Sequence, residues 1–277
     1  MGSEISAGVL GLGIIGSAWA RHLNDDGILC GAWNRTPQRD FPCWKDSPAE
    51  VADSADVLMI VVADPPAVQA VLDEILPRLF ARHLVIQSST IDPQSSSRFA
   101  AMVRATGAAY VEAPFTGSKP AAEQRKTVFF LGGDAADIAR AEPVLARISM
   151  TRNVIGTNEQ ATVMKLCGNL QISAQMEALC EAFAWARTAG ISDDTFFAAL
   201  RSSAAWSGLY TLKENKLKAG DYAPQFSVKH MLKDMKLADG AMSLPLPLVK
   251  TMMDRLVLAA MNGAADEDIS ALLKNLY

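Results

Sequence analysis

Short runs of consecutive apolar residues alternate with amphipathic stretches through the first half of the chain, and amphipathic stretches alone fill the second. The apolar, β-rich runs fall at residues 5–10, 28–33, 57–61, 84–87, 109–112, 127–131 and 153–155. Helical patterns between them begin near Ile14, Pro48, Pro66, Pro93 and Ala135. Ser47-Pro48-Ala49-Glu50 shows the start signal clearly: a capping hydroxyl, proline at the first helical position, and an acid three residues on. Such alternation predicts a parallel sheet covered by helices. Beyond it, one helical pattern persists over 158–188, roughly 45 Å at 1.5 Å per residue. Gly190 is placed to end that helix and Ser192 to cap the next. Further helical patterns occupy 194–204, 208–218, 227–242, 248–261 and 266–276. No repeat or low-complexity linker separates the halves, so the long helix itself is the junction. The predicted class is α/β: a doubly wound domain over 1–157, an interdomain helix over 158–189 and an all-α domain over 190–277.

Along the long helix, Met164, Leu166, Leu170, Ile172, Met176, Leu179, Phe183 and Trp185 are spread around the circumference. That is more apolar surface than one domain covers, which predicts a second copy packed there, as a homodimer or tetramer. The Lys213–Lys218 stretch reads as a solvated helix face without a partner. With 277 residues, 50% of them apolar, 20% charged and a net charge of −4, disorder and a basic nucleic-acid surface are both excluded. The longest apolar run, residues 57–63, is far short of the ~20 that span a bilayer. Met1-Gly2-Ser3-Glu4 lacks the pattern of a secretory leader. Gly2 and Ser6 formally fit a myristoylation pattern, but the stretch from Ile5 reads better as a buried strand. Cys30, Cys43, Cys167 and Cys180 have no Cys-x-x-Cys spacing, and with three histidines they form no zinc motif. They read as reduced, mostly buried thiols of a cytoplasmic protein.

The first chemistry-bearing motif is Gly11-Leu12-Gly13-Ile14-Ile15-Gly16, directly after the first strand and opening a helix. Its glycines have separate tasks: the tight turn, the approach of a pyrophosphate to the backbone, and close helix–sheet packing. The helix N-terminus adds free N–H groups and partial positive charge. This predicts a Rossmann-type dinucleotide site. At the end of the second strand the chain reads Trp33-Asn34-Arg35-Thr36. A carboxylate there would bond the ribose 2′-hydroxyl of NAD, whereas Arg35, flanked by Asn34 and Thr36, forms a charge-assisted fork to a 2′-phosphate. The expected cofactor is therefore NADP(H), with Arg39 a second candidate cation.

Further segments match in order: Ser89-Thr90-Ile91-Asp92-Pro93, the stretch 112–123 (Glu-Ala-Pro-Phe-Thr-Gly-Ser-Lys-Pro-Ala-Ala-Glu), Lys165 with Asn169, and residues 226–234. With the glycine turn they make the chain resemble, over nearly its full length, the β-hydroxyacid dehydrogenase family, which includes 3-hydroxyisobutyrate dehydrogenase. Within it the chain is most similar to the glyoxylate and succinic semialdehyde reductases. The resemblance implies a catalytic role for Lys165, and the chemistry agrees: an ammonium stabilises charge growing on a carbonyl oxygen and then donates a proton to it. Asn169, at i+4, shares its helix face and is implied to hold the lysine or the substrate oxygen. Substrate-facing roles are implied for Thr90, Thr116, Gly117 and Ser118, and for Phe226 and Asp234 from the helical domain. Lys233 is implied near the nicotinamide, and Thr90 also touches the cofactor. His230 reads as structural. Two departures stand out. Pro114-Phe115-Thr116-Gly117 replaces the family's Pro-Val-Ser-Gly, which would tighten the pocket, and the connection from Arg35 to Val51 is short. Trp206 either narrows the pocket or packs between helices.

The leading reading is an NADPH-dependent reductase of a small aldehyde acid of the glyoxylate or succinic semialdehyde class. The alternatives are oxidation of a β-hydroxyacid, imine reduction, and a catalytically silent dimerisation module. Relatives that reduce imines usually lack this lysine, so Lys165 argues against the imine reading. The intact glycine turn, Lys165 and Asn169 argue against the silent module.

Overall fold

The structure, a computed structural model, describes residues 5–277. Gly2 and the rest of the stretch Met1-Gly2-Ser3-Glu4 lie outside the described residues. The chain divides into two compact units, Met1–Lys165 and Leu166–Tyr277.

In the first unit, β1 (Ala7–Leu10), β2 (Leu29–Trp33), β3 (Val57–Ile60), β4 (Leu84–Gln87) and β5 (Ala109–Glu112) pair in parallel in the order β2-β1-β3-β4-β5. Register explains why these runs are apolar without interruption. Val9, Met59, Ile86 and Val111 form one row across the sheet. They pack in one core with Trp19 and Leu23 of α1 (Ile14–Asp25) and with Ile138 and Val144 of α6 (Ala135–Leu145). The next row, Leu58, Val85 and Tyr110, belongs to a second core with Val51 of α2 (Pro48–Ser54), Leu72 of α3 (Pro65–Ile75) and Phe99 of α4 (Pro93–Arg104). Helices on both faces bury both sets of side chains. Three helices begin with one device, an oxygen cap followed by proline. Ser47, Asp64 and Asp92 accept from the amides of Glu50, Ala67 and Ser95 at 3.2, 2.9 and 2.8 Å.

The far end of the sheet departs from the parallel expectation. A short strand absent from the sequence reading, β6 (Phe115–Thr116), pairs antiparallel with β7 (Val128–Gly132), which is antiparallel to β5 as well and parallel to β8 (Thr151–Gly156). The connection over 117–127 holds only the short helix α5 (Lys119–Glu123), less than a parallel crossover needs. At the other end, the segment after β2 folds back on the sheet edge. The Ala32 amide donates to Cys43 O and the Lys45 amide to Ala32 O, both at 2.9 Å, so the short connection covers the sheet edge.

The second unit is helical: the rest of α7 (Asn158–Thr188), α8 (Asp193–Arg201), α9 (Gly208–Ala219), α10 (Val228–Ala241) and α11 (Pro247–Ala259). The α7 helix ends at Gly190, where the Ile191 amide bonds Ala186 O at 3.0 Å, and Ser192 caps α8 through the Thr195 amide at 3.2 Å. The α7 side chains Met176, Leu179 and Phe183 pack against Phe197, Met231 and Leu256 of the same chain. Fewer apolar groups are therefore left over than the sequence suggested: Val163, Met164 and Trp185 stay exposed, the last at 77%.

Three further expectations are corrected. Lys213 is not on a solvated face. It is buried and bonds both oxygens of buried Asp268 at 2.7 and 2.8 Å. That carboxylate also takes the amides of Gln225, Phe226 and Ser270 at 2.9, 3.2 and 3.1 Å, so the last helical turn starts at Ile269 and is a 3₁₀ helix. Finally, the thiols are not mostly buried. All four cysteines are free, but Cys43 and Cys167 are exposed, Cys30 is half-buried, and Cys180 alone lies in a core. Among the described residues no helix is long and apolar enough to cross a membrane, and no cluster of three His, Cys, Asp or Glu is placed to hold a metal ion.

Candidate active site

The glycine turn joins β1 to α1 where the sheet order reverses, since β2 and β3 flank β1 on opposite sides. Ligands of open α/β sheets bind at that point. Gly11 has φ +115°, and a Cβ there would lie 2.2 Å from Val61 O. A Cβ on Gly16 would lie 2.0 Å from Gly11 O. These two glycines let strand end, turn and helix touch. Gly13 differs, because a Cβ built on it meets nothing within 4 Å. It is also the N-cap of α1, where no side-chain cap hydrogen bond forms, so its backbone is open to close approach. The turn is clamped from the β2–α2 connection: the Leu12 amide donates to Asn34 Oδ1 at 3.0 Å, and Gln38 Nε2 donates to Leu12 O at 3.1 Å. Asn34 Nδ2 donates in turn to Thr36 O at 2.9 Å. Asn34 and Thr36 thus shape the turn, while Arg35 is exposed and, among the described residues, forms no ion pair. Arg39 lies 3.9 Å from Asp46. A bare helix N-terminus, a glycine cradle and an exposed guanidinium at the end of β2 fit a phosphorylated dinucleotide.

Two loops leave the sheet beside this turn. Ser89-Thr90 follows β4. The Ser89 hydroxyl accepts the Val62 amide at 2.8 Å, and its amide donates to Gln87 Oε1 at 2.6 Å. Thr116, in β6, leads into exposed Gly117, at φ +129°, and Ser118 at the start of α5. Phe115 is directed into the aromatic cluster beneath that loop: its ring lies 4.7 Å from Trp19, edge-on, and 6.2 Å from Phe129. This explains the departure from Pro-Val-Ser-Gly as core filling. On α7, Lys165 is only 9% exposed, and its Nζ lies 5.9 Å from the Phe115 ring centroid, within cation–π range. The lysine is thereby held beside the residue that precedes Thr116.

One turn further along α7 is Asn169, in the second unit. Its Nδ2 donates to Asp234 Oδ2 at 2.5 Å, and Lys233 Nζ lies 2.8 Å from the other oxygen, so the buried Asp234 carboxylate links the two. Phe226 is held through its backbone, with its amide on Asp268 and its carbonyl accepting from Ile269 at 3.0 Å. His230 stacks on Phe226 at 6.5 Å and pairs with the Ser227 hydroxyl at 2.7 Å; burial and two neighbouring lysines lower its pKa. Trp206 packs between helices, edge-on to Tyr210 at 5.9 Å and beneath the Arg201 guanidinium at 4.7 Å.

Sequence reading gave no role to three groups. Gln38 holds the turn. Gln87 and Glu112 form a fully buried pair at the ends of β4 and β5, 2.6 Å apart. Burial pushes the Glu112 carboxyl up to about 8, against the opposing donors Ser96, Tyr110 and Gln87. The available signal was a polar residue closing each of two otherwise apolar strands.

The chain is similar to known proteins over both of its units. Residues 6–157 match the NAD binding domain of 6-phosphogluconate dehydrogenase, and residues 160–276 match the NAD-binding domain of NADP-dependent 3-hydroxyisobutyrate dehydrogenase. Two proteins of Arabidopsis thaliana, glyoxylate/succinic semialdehyde reductase 2 (chloroplastic) and reductase 1, are each 28% identical over 98% of this chain, covering 79% and 98% of their own lengths. The crystal structure of 3-hydroxyisobutyrate dehydrogenase from Salmonella typhimurium aligns with TM-score 0.88 and 27% identity over 98% of this chain and 99% of that one. Fold and site together define an NAD(P)-dependent oxidoreductase that acts on hydroxyl and carbonyl groups. The chain belongs to the β-hydroxyacid dehydrogenase family.

Proposed function

We propose that this protein is an NADPH-dependent reductase of small aldehyde acids of the glyoxylate and succinic semialdehyde class. The observation that carries the reading is Lys165: a lysine nine-tenths buried, its ammonium over the Phe115 ring, next to a loop of hydroxyls and amides. A lysine that served only solubility would lie in water. Gly11, Leu12, Gly13, Ile14, Ile15 and Gly16 cradle the pyrophosphate, and Arg35 grips the 2′-phosphate from the rim that Asn34 and Thr36 shape. Bound NADPH would supply hydride to the carbonyl carbon. Lys165 stabilises the charge that gathers on the carbonyl oxygen and gives that oxygen its proton from Nζ. Asn169, bonded to Asp234, shares the helix face of Lys165 and has the role of holding the lysine or the substrate oxygen, and Phe226, Asp234 and Lys233 keep the substrate and cofactor roles that the family resemblance implies. Thr90, Thr116 and the amides of Gly117 and Ser118 receive the substrate carboxylate, for which hydroxyl and N–H donors are the matching chemistry.

The names of the Arabidopsis relatives support the substrate class, and the presence of Arg35 where NAD enzymes carry an acid supports the phosphorylated cofactor. A panel of glyoxylate, succinic semialdehyde, a β-hydroxyacid with NADP+ and a cyclic imine, run with both cofactors, tests the reading. Fastest turnover on an aldehyde acid with NADPH is expected; preference for the imine overturns it. We also propose that exposed Val163, Met164 and Trp185 meet a second copy along α7. Light scattering on Trp185→Glu would show loss of the dimer.

A further inference from the structure

The fully buried Glu112 carboxyl closes β5 in an apolar sheet, where an ionisable group is costly unless its hydrogen bonds do something an apolar side chain cannot. Its two oxygens are fully occupied. One accepts from Gln87 Nε2 at 2.6 Å; the other accepts from the Ser96 hydroxyl at 2.6 Å and the Tyr110 hydroxyl at 2.9 Å. Gln87 is its direct register partner on β4. The Gln87 amide then reaches past its own strand end to both polar groups of one residue: Oε1 accepts the Ser89 amide at 2.6 Å, and Nε2 donates to Ser89 O at 2.9 Å. The Ser89 hydroxyl holds the Val62 amide at 2.8 Å, and the neighbouring Val61 carbonyl is the group that packs against Gly11.

This arrangement has one permitted orientation. Turning the Gln87 amide over would set its N–H against the Ser89 N–H, and its oxygen against two further oxygens, Glu112 Oε1 and Ser89 O. Glu112 keeps Oε1 as an acceptor toward Gln87 in either protonation state, because a proton on its other oxygen is taken by the Ser96 or Tyr110 hydroxyl, so Gln87 in turn fixes the peptide groups of Ser89, where the Ser89-Thr90 loop begins. Ser89 and Thr90 form the loop assigned above to the substrate carboxylate.

We propose that Glu112 is a positioning residue that acts through Gln87 on the Ser89-Thr90 loop, so that two side chains beneath the sheet's end set how tightly the substrate carboxylate is held. The assignment rests on the aldehyde-acid reading for its consequence, though not for its geometry. The test uses Gln87→Met, which keeps the shape and leaves Glu112 its two hydroxyl donors, and Glu112→Gln, which keeps an acceptor toward Gln87 and gives Ser96 a donor. Amide exchange and steady-state kinetics are measured on the full chain. In Gln87→Met, exchange of the Ser89 amide is expected to rise by about tenfold or more while Val85 and Ile86 stay protected, and KM for the aldehyde acid to rise by about tenfold with kcat much less changed. Glu112→Gln is expected to stay within about threefold of the native chain in both, because the hydrogen-bond pattern rather than the charge is what positions. Native exchange at Ser89 in Gln87→Met overturns the relay. Faster exchange with native KM overturns its link to the substrate, and a Glu112→Gln loss as large as that of Gln87→Met overturns the hydrogen-bond argument. If the unsubstituted chain reduces none of the acids, the aldehyde-acid reading fails and the Ser89 exchange alone decides the relay.

Discussion

Glu112 makes the stability of the first unit depend on pH in a direction opposite to that of an ordinary surface carboxylate. Its pKa moves from 4.5 to about 8 because it is fully buried. Between those two values the folded chain holds a proton that the unfolded chain has released, so stability falls as pH rises through this window. A tenfold change in proton affinity corresponds to about 1.4 kcal/mol, so the full difference between folded and unfolded chains is on the order of 5 kcal/mol. From pH 5.5 to 8 the loss attributable to this one group is about 3 kcal/mol, because the site begins to ionise near the upper limit. Glu112→Gln removes the titration while keeping the shape and most of the hydrogen bonds. Urea unfolding of both chains across that range isolates the contribution, since every other titration cancels in the difference. The native chain should lose about 3 kcal/mol relative to the variant as pH rises. Parallel pH profiles would refute the claim that desolvation outweighs the three donors.

Other perturbations separate structure from binding. Gly13→Ala, whose Cβ enters open space, should cost no more than about 1 kcal/mol of stability yet weaken NADPH binding by about tenfold or more, read by calorimetry. Gly16→Ala, whose Cβ would lie 2.0 Å from Gly11 O, should instead destabilise by about 1–3 kcal/mol, visible in thermal unfolding without any cofactor. Arg35→Asp should weaken NADPH far more than NADH in the same titration, and equal losses would remove the arginine from phosphate recognition. Lys213→Met leaves buried Asp268 without its cation and should cost about 3–5 kcal/mol, with Tm as the readout.

The parallel strands β1 to β5 were legible in the sequence because helices cover both of their faces, and the helices after β2, β3 and β4 open on cap-and-proline starts such as Asp92-Pro93. The glycine turn was legible because Gly11, at φ +115°, and Gly16, whose Cβ would lie 2.0 Å from Gly11 O, leave no room for another residue. The antiparallel pairing of β6 with β7 was not, since two residues, Phe115 and Thr116, carry no periodicity and the pairing depends on the short connection that follows. Lys213 looked like its neighbours Lys216 and Lys218 because the partner that buries it, Asp268, lies far along the chain. Gln87 and Glu112 were visible as residues, yet their joint purpose exists only once β4 and β5 align in register. Local rules reveal elements and turns; partners distant in sequence come from the fold.

The central claim is that Lys165 delivers the proton to the substrate oxygen. Pre-steady-state reduction of the preferred aldehyde acid by Lys165→Met, with NADPH affinity measured on the same preparation, addresses it directly. The account predicts native NADPH binding and a hydride-transfer rate lowered by about 10²–10⁴. A rate close to that of the unsubstituted chain would contradict it.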